Sequence, residues 1–357
     1  MYNYVISRMV GNKMKNIAWL PESLNANKSI YQFKKAAEIA GFNNFSEKEL
    51  NENLSKTDYL VLNFFEDIQK KWGFYFICFW GRYFRLLKFK LHGIKILWVL
   101  NNKIPHDDNA KWAVRMMKVL VKKSYKIICL CSDSKFVLKS LVRNENIWKD
   151  KLLFLPHPNY IGAYKVSESK IDTSKFKALF FGSIRPYKNI DTLIKVFKDL
   201  PDDKAELLIA GNVKKPEYKE YLIKLAENCP YIKLELKYIS DDEIISLIQQ
   251  SSIVILPYDN QTTLNSGSVI LACSAKRTFI TSMIGTVSDF SDTTLFYSYS
   301  YTDEADHVLK LKEQILNAYN DYLKNPNSLF EKGMKLYEYI NKEHSLEIIS
   351  KILQETL

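Results

Sequence analysis

Short apolar runs alternate along the chain with longer segments in which apolar residues recur at helical spacing. The runs predict buried strands at 15–20, 59–64, 95–100, 127–131 and 152–155, and again at 178–181, 206–210, 232–236, 253–256 and 278–281. The periodic segments predict helices at 28–40, 108–122, 133–142, 191–200, 216–228, 241–250, 268–274, 303–324 and 329–354. Strands that alternate with helices indicate an α/β fold built on mainly parallel, doubly wound sheets.

The alternation breaks at 161–177, where large apolar residues are few and several serines and lysines occur. We therefore expect a first domain over 1–160, a linker over 161–177 and a second domain from 178 onward. A chain of 357 residues is long enough to give each domain its own core.

The chain is basic, because 51 lysines and arginines stand against 40 aspartates and glutamates, for a formal net charge of +11. Such a surface attracts anions, among them nucleic acid, anionic lipid and phosphorylated sugars. We expect no nucleic-acid partner, since no RNA- or DNA-binding motif occurs. The five cysteines are scattered and form no C-x-x-C pair, which is typical of reduced thiols in the cytoplasm. We expect a cytoplasmic protein also because the sequence has no leader-like start and no apolar run of the ~20 residues that a membrane span needs.

The stretch at 178–197, ALFFGSIRPYKNIDTLIKVF, combines a predicted strand, a basic turn and the start of a helix. This arrangement binds phosphate in open α/β sheets, because the helix start offers free N–H groups and a positive dipole end. Arg185 and Lys188 would add full positive charges, and Asn189 or Asp191 can cap the helix. The alternative is a tight turn with two solvated cations.

The same stretch resembles the diphosphate-binding loop of GT-B nucleotide-sugar glycosyltransferases, especially the large family 4-like group (glycosyltransferases group 1). The matching residues are Gly182, Arg185, Lys188, Asn189, Asp191, Leu193 and Ile194. A second match is 253–272, where a strand ends in Pro-Tyr and a polar loop leads to a glycine-containing helix start. The resemblance implies two Rossmann-like domains that face each other across a cleft. The second would span 178–335, and residues 336–357 would form a helix that returns to the first.

Ligands of open α/β sheets bind beyond the carboxyl ends of the strands. In the second half, this criterion and the resemblance predict a donor site made of Gly182, Ser183, Arg185, Lys188, Gly211, Tyr258, Asn265, Ser266, Gly267 and Ser268. In the first half, the criterion selects the loops 101–108 and 131–134 for the acceptor. The alternative at Ser266 and Gly267 is a helix cap without a ligand.

The loop after the third predicted strand holds the candidate catalytic side chains of the first half. In the resembling group this loop often has a His-Asn pair followed by Pro-His and an acid. Here His106 and Asp107 match the second part, and Asn101 replaces the first histidine. His106 or Asp107 is the candidate base or orienting group for the acceptor hydroxyl, while the two cations of the basic turn would neutralise the leaving diphosphate. The alternative is that Asp107 only caps the next helix.

Other chemistry finds little support in the sequence. We expect His157, which lies between two prolines, to be a structural residue at the cleft edge rather than a catalytic one. His, Cys and acidic residues show no metal-binding spacing and no Asp-x-Asp occurs, so we expect neither a metal nor a cofactor. A dehydrogenase or a kinase is disfavoured, because G-x-G-x-x-G and Walker loops are absent.

These matches predict a hexosyltransferase that moves a sugar from a nucleoside diphosphate sugar to a glycan acceptor, a lipid-linked precursor of a surface polysaccharide. The sequence departs from the pattern of the resembling group at one point. In that group, two glutamates usually lie around the glycine that matches Gly267, one near the sugar and one on the ribose. Here the matching positions are near Thr263 or Leu264 and at Leu271, and no carboxylate lies between Asp259 and Asp289. A retaining or an inverting reaction stays possible, and so does a non-catalytic GT-B protein that binds sugar or lipid, or a nucleotide-sugar epimerase.

The stretch from Lys70 to Lys90 is dense in aromatic residues, carries cations throughout and is too short to span a membrane. Aromatic and basic side chains together suit a lipid headgroup interface. The stretch therefore predicts peripheral attachment to the anionic inner face of the cytoplasmic membrane, where a lipid-linked acceptor would lie. The alternative is a core helix with a basic outer face.

Overall fold

A computed structural model describes residues 14–22, 28–68, 74–104, 110–164, 174–200 and 205–357. Within these residues lie two sheets of six parallel strands each, with helices between the strands. The predicted α/β architecture of two doubly wound domains is confirmed. No helix in this part of the chain is long and apolar enough to cross a membrane.

The first sheet has the strand order β2-β1-β3-β4-β5-β6. Its strands are β1 (Asn16–Leu20), β2 (Asn43–Phe45), β3 (Tyr59–Leu62), β4 (Lys95–Leu100), β5 (Lys126–Cys129) and β6 (Leu152–Phe154). The helices of this part are α1 (Ser29–Ile39), α2 (Glu47–Glu52), α3 (Tyr75–Leu91), α4 (Ala110–Lys123) and α5 (Ser134–Leu141). The apolar pattern does not predict β2 or α2, because both are short and mostly polar.

The second sheet has the order β12-β11-β10-β7-β8-β9, so the direction of winding reverses between β7 and β10. Its strands are β7 (Phe176–Phe181), β8 (Ala205–Ala210), β9 (Ile232–Glu235), β10 (Ile253–Leu256), β11 (Phe279–Ser282) and β12 (Tyr297–Tyr299). Its helices are α6 (Ile190–Lys198), α7 (Pro216–Ala226), α8 (Asp241–Gln250), α9 (Gly267–Ser274), α10 (Gly285–Ser288), α11 (Glu304–Lys324) and α12 (Ser328–Glu343), and α13 (Leu346–Thr356) ends the chain. A reversal of this kind leaves a crevice between adjacent loops that commonly binds a ligand.

The last helical segment is two helices, α12 and α13, and the single helix predicted at 329–354 is wrong. The break comes at His344 and Ser345, where the Ser345 hydroxyl caps the new helix. α12 packs on α9 of the second sheet, whereas α13 packs on α1 of the first. Ile349 and Leu353 of α13 are buried in one cluster with side chains of α1 and β1. The chain thus crosses twice between the two sheets, once before β7 and once at this break.

Hydrogen bonds between the two domains hold their facing loops together. Asn265 donates its amide protons to the carbonyl oxygens of Leu100 at 3.1 Å and Asn101 at 3.0 Å. Asp289 accepts from the backbone N–H of Ser132 at 2.8 Å and also from the Ser132 hydroxyl. These contacts fix the distance across which the two sheets face each other.

Candidate active site: a cleft between the two sheets

A cleft opens where the carboxyl ends of β7 and β10 face the loops of the first sheet. It has two adjoining chambers with volumes of ≈ 390 Å³ and ≈ 440 Å³. The first chamber is lined by Ser29, Phe33, Asn63, Phe64, Asp67, Val99, Asn101, Asn102, Leu130, His157, Arg185, Tyr187, Tyr258, Thr263, Asn265 and Ser266. The second is lined by Lys28, Tyr160, Tyr164, Phe181, Gly182, Gly211, Asn212, Lys214, Tyr238, Ile239, Asp241, Ile244 and Leu271. Ser183, Lys188, Gly267 and Ser268 line both chambers.

Every residue that the sequence predicts for the donor site lies on the wall of this cleft. Gly182 and Gly211 line the second chamber, whereas Arg185, Tyr258, Asn265 and Ser266 line the first. The remaining predicted residues form the junction between the chambers. The strand-end criterion thus brings these residues together, and their roles in binding stay predictions.

The ammonium group of Lys188 lies at the junction of the chambers. A Cβ placed on Gly182 would be 3.6 Å from Nζ of Lys188 and 3.8 Å from Oγ of Ser268, so these groups surround one small space. The side chain is 9% exposed, and Nζ is 5.6 Å from the ring centroid of Tyr258. Burial, with a smaller contribution from the Arg185 guanidinium, lowers the pKa of Lys188 to about 8.

The start of α9 forms the opposite wall of this junction. Ser266 is the N-cap residue, and its Oγ accepts a hydrogen bond from the Val269 N–H at 3.3 Å. The first amides of a helix have no partner inside the helix, so those of Gly267 and Ser268 are available to an anion. Lys188 and the positive end of α9 therefore offer charge and hydrogen-bond donors to the same point.

The start of α6 does not reach the cleft, and the prediction that its amides face the anion is wrong. Asn189 takes a left-handed conformation with φ of 51°, which separates a short 3-10 turn at Pro186–Lys188 from α6. Neither Asn189 nor Asp191 caps α6 through its side chain. The side chain of Asn189 instead donates to the Pro257 carbonyl oxygen at 2.9 Å. The first turn of α6 instead lines a separate pocket with Asp259. The basic turn keeps its place at the cleft, but the helix end beside it is that of α9.

The loop after β3 supplies the wall of the first chamber that the sequence interpretation misses. Asn63, Phe64 and Asp67 line the chamber, and Phe64 takes a left-handed conformation with φ of 50°. Arg82 of α3 holds this turn by donating to the carbonyl oxygens of Phe64, at 3.5 Å, and Phe65. The signal was available, because this loop directly follows a predicted strand and contains an amide and a carboxylate.

The predicted acceptor-side pair His106 and Asp107 lies outside the described residues. The loop that contains them leaves β4 at the cleft, since Asn101 and Asn102 line the first chamber. Among the residues that the structure describes on this chamber wall, Asp67 contributes the carboxylate. The acceptor side of the site therefore has Asp67 as a candidate in addition to the predicted pair.

His157 lines the first chamber, in agreement with its expected position at the cleft edge, whereas the sequence favoured a structural role for its side chain. Nδ1 of His157 lies 3.0 Å from the Pro158 carbonyl oxygen, and Nδ1 of His344 lies 2.8 Å from the His157 carbonyl oxygen. Burial lowers the pKa of the His157 imidazole to about 4, so the ring is neutral at physiological pH. The ring is held firmly, yet one edge faces the cleft.

The positions where the family pattern has glutamates carry other side chains. Leu271 lines the second chamber, Thr263 lines the first, and Leu264 is fully buried in the core of the first sheet. Among the described residues on the wall of the second chamber, Asp241 contributes the carboxylate, and it pairs with Lys28 of the first domain at 2.9 Å. No group of three or more metal-binding side chains occurs in the described ranges.

Comparison with known proteins matches residues 165–275 to the family described as "Glycosyl transferases group 1". A curated relative, the GDP-mannose:glycolipid 4-beta-D-mannosyltransferase of Xanthomonas campestris pv. campestris, is 25% identical over 195 residues. These residues are 54% of this chain and 51% of the relative, so the chain spans about half the length of the curated relatives it matches.

Solved structures match over nearly the whole chain. Anabaena HepE in complex with UDP and glucose has a TM-score of 0.70 at 10% identity, with 96% of this chain and 99% of that one covered. Sucrose-phosphate synthase from Thermosynechococcus elongatus has a TM-score of 0.67 at 12% identity, with coverages of 96% and 98%. As the resemblance implied, the two domains have the GT-B fold, and residues 165–275 match the family model of the group 1 glycosyltransferases.

Proposed function

We propose that this chain is a glycosyltransferase that moves a sugar from a nucleoside diphosphate sugar to a hydroxyl of a glycolipid acceptor. The observation that carries the proposal is the buried ammonium group of Lys188 at the junction of the two chambers. Among the described residues, no carboxylate contributes to its pKa, which burial and Arg185 lower. Burying an uncompensated cation is unfavourable, so the site is built for an anion that arrives with the substrate.

The two chambers suit the two ends of a nucleotide sugar. The diphosphate would bind at the junction, against Lys188 and the first amides of α9. The nucleoside would occupy the second chamber, whose wall includes Tyr238, Ile239 and Leu271. The sugar and the acceptor would meet in the first chamber, next to Asp67 of the first domain.

The chemistry needs little from the protein beyond charge and orientation. The acceptor hydroxyl oxygen forms a bond to the anomeric carbon while the bond from that carbon to the phosphate oxygen breaks. The nucleoside diphosphate leaves with the electron pair, and Lys188 with Arg185 stabilises the charge that develops on it. The hydroxyl proton passes to a base, for which His106, Asp107 and Asp67 are the candidates. We propose that no metal takes part, and turnover in the presence of a chelator tests this.

The names of the similar proteins support the donor and acceptor classes. The curated relatives transfer mannose from GDP-mannose to a glycolipid, and the Anabaena structure contains UDP and glucose. A lipid-linked glycan is therefore our proposed acceptor, and assembly of a surface polysaccharide is the proposed pathway.

An aromatic stripe on α3 supports attachment to a membrane surface. Phe76, Trp80 and Phe84 recur every fourth residue and are 48%, 48% and 61% exposed. The exposed Lys88 and Lys90 follow in the last turns of the helix. Aromatic rings flanked by cations suit the headgroup region of an anionic bilayer, so we propose peripheral binding at the inner face of the cytoplasmic membrane. Lys70 itself lies outside the described residues.

The position of α3 relative to the cleft supports the same proposal. Arg82 of α3 points inward and holds the loop of Phe64 and Phe65, whose neighbour Asp67 lines the first chamber. The helix that would rest on the bilayer therefore supports the wall that would receive the acceptor. A lipid-linked glycan could enter the first chamber while its lipid stays in the membrane.

The test is an assay of nucleoside diphosphate release with a panel of nucleotide sugars, with and without a glycolipid fraction. A transferase releases nucleoside diphosphate in proportion to added acceptor and transfers the sugar to it. A non-catalytic binding protein releases none above the blank. An epimerase changes the sugar and leaves it on the nucleotide, and either of these results would reject the proposal.

A further inference from the structure

We propose that His157, Asn63 and Thr263 form the subsite for the transferred sugar, in which Nε2 of His157 accepts a hydrogen bond from a sugar hydroxyl. The inference rests on the proposed function. It goes further because it names the side chains that distinguish a nucleotide sugar from the bare nucleoside diphosphate.

The hydrogen bonds of His157 fix which ring nitrogen carries the proton. Nδ1 lies 3.0 Å from the carbonyl oxygen of Pro158, and a carbonyl oxygen can only accept. The proton of the neutral ring is therefore on Nδ1, and Nε2 presents a lone pair. Among the residues that the structure describes, no hydrogen bond to Nε2 occurs. Within the described residues, Nε2 is therefore open to a donor from a ligand in the cleft.

The location of Nε2 matches the place of a sugar on a bound diphosphate. A Cβ at Gly267 would lie 3.3 Å from Nε2 of His157 and 2.8 Å from the Tyr160 hydroxyl oxygen. Nε2 therefore lies beside the first residue of α9, where we place the diphosphate. A group attached to the terminal phosphate and directed into the first chamber passes this nitrogen.

Three more polar groups of the first chamber lack partners. Nδ2 of Asn63, Oγ1 of Thr263 and Oδ1 of Asn265 are buried and have no hydrogen bond in the described part of the chain. The side chains of Asn63 and Thr263 are 6% and 4% exposed, and both line the first chamber. Buried polar groups are nearly always paired, so unpaired ones at a cleft point to a ligand that completes them.

The three side chains together match the chemistry of sugar hydroxyls. Asn63 offers a donor, His157 an acceptor, and the Thr263 hydroxyl can do either. Hydroxyl groups of a sugar donate and accept in the same way, and none of the three side chains is charged at neutral pH. This set therefore favours a neutral sugar over a sugar acid.

The experiment is calorimetric titration with a nucleoside diphosphate and with the corresponding nucleotide sugar. In His157→Phe, the nucleotide sugar should bind about tenfold more weakly, as expected for the loss of one hydrogen bond, while the nucleoside diphosphate binds as to the wild type. His157→Gln keeps an acceptor near the position of Nε2 and should recover part of the loss. If His157 had only a structural role, His157→Phe would weaken the binding of both ligands equally, and His157→Gln would not restore binding of the nucleotide sugar.

Thr263→Val provides a second test that does not depend on His157. It keeps the shape of the side chain and removes the hydroxyl, so it should weaken the nucleotide sugar selectively. Ser124→Ala is the matched control, because Ser124 also has a buried hydroxyl without a partner in the described residues but lies outside both chambers. It should leave both affinities unchanged.

The outcomes separate the subsite from the function on which it rests. If His157→Phe and Thr263→Val keep the wild-type preference for the nucleotide sugar, or change only the KM of the acceptor, the subsite is assigned wrongly. If the wild type binds neither nucleoside diphosphates nor nucleotide sugars, the proposed function fails, and the subsite fails with it.

Discussion

The carbonyl oxygen of Gly182 lies against the Cα of Gly211, where a Cβ on Gly211 would be 1.8 Å away. Gly182 also donates its N–H to the Ala210 carbonyl oxygen at 3.0 Å. Both glycines have positive φ angles, 111° and 157°. The turns after β7 and β8 therefore meet through bare backbone, and this contact forms part of the wall of the second chamber.

Gly211→Ala should weaken nucleoside diphosphate binding by at least about tenfold and lower the melting temperature. The clash is with backbone, so no side-chain rotation relieves it, and destabilisation on the order of 2–4 kcal/mol is expected. Gly162→Ala is the control, because Gly162 has a φ of 74° with no atom within 4 Å of an added Cβ. The free energy of unfolding of Gly162→Ala should fall only by the backbone strain, about 1–2 kcal/mol. Equal effects of the two changes on ligand binding would contradict the contact argument.

Lys188→Met should abolish turnover and at the same time stabilise the ligand-free protein. The substitution keeps an apolar stem of similar length and removes a buried charge whose pKa is lowered from 10.5 to about 8. A shift of this size corresponds to a gain on the order of 3 kcal/mol at neutral pH. Denaturant unfolding and an activity assay measure the two effects. A destabilised variant would indicate that Lys188 has a structural partner.

The same lysine predicts a pH dependence of stability. Its pKa is lower in the folded than in the unfolded state, so between about 8 and 10.5 the unfolded state binds more protons. The contribution of Lys188 to the free energy of unfolding should therefore rise with pH through this window, whereas affinity for a nucleoside diphosphate should fall above pH 8. Lys188→Met should lack both pH-dependent changes, and parallel profiles in the two proteins would exclude this origin.

Trp80→Ser with Phe84→Ser should reduce sedimentation with anionic vesicles and leave nucleoside diphosphate binding unchanged, because neither residue lines a chamber of the cleft. The binding of the wild type should weaken with salt. Leu309→Ser is the control, since Leu309 is an exposed apolar residue of α11 in the second domain. Unchanged binding of the double variant, or no binding of the wild type at low salt, would reject the membrane proposal.

Asp67→Asn and Asp107→Asn distinguish the candidates for the acceptor-side base. The variant that removes the base should lower kcat by about 10²–10⁴-fold and leave nucleoside diphosphate affinity unchanged. The other variant should keep most of its activity. Two variants that both turn over at the wild-type rate would leave His106 or the leaving phosphate as the proton acceptor.

Much of the second domain follows from the sequence because its strands are continuous apolar runs. β10, for example, is fully buried and was predicted with the bounds that the structure has, Ile253–Leu256. β2 and the break before α13 could not be predicted in this way. β2 is a short polar edge strand, and the break arises from tertiary contacts, since His344 bonds to the hinge at His157.

The site shows the same division. Glycine and cations after a strand are a local pattern, and they predicted the cleft wall around Lys188. The start of α6, by contrast, turns away from the cleft because of the left-handed conformation at Asn189, which a match to a family pattern does not reveal. The contact of His157 with the start of α9 depends on the path of the chain before β7, and no periodicity encodes it.

Calorimetric titration of UDP, GDP and other nucleoside diphosphates into the wild type and Lys188→Met tests diphosphate binding at Lys188 most directly. The wild type should bind at least one of them with a dissociation constant in the micromolar to millimolar range, and the variant, still folded, should bind it at least about tenfold more weakly. Equal binding to both proteins, or no binding to the wild type, would contradict the claim that the diphosphate is held at Lys188 and the start of α9.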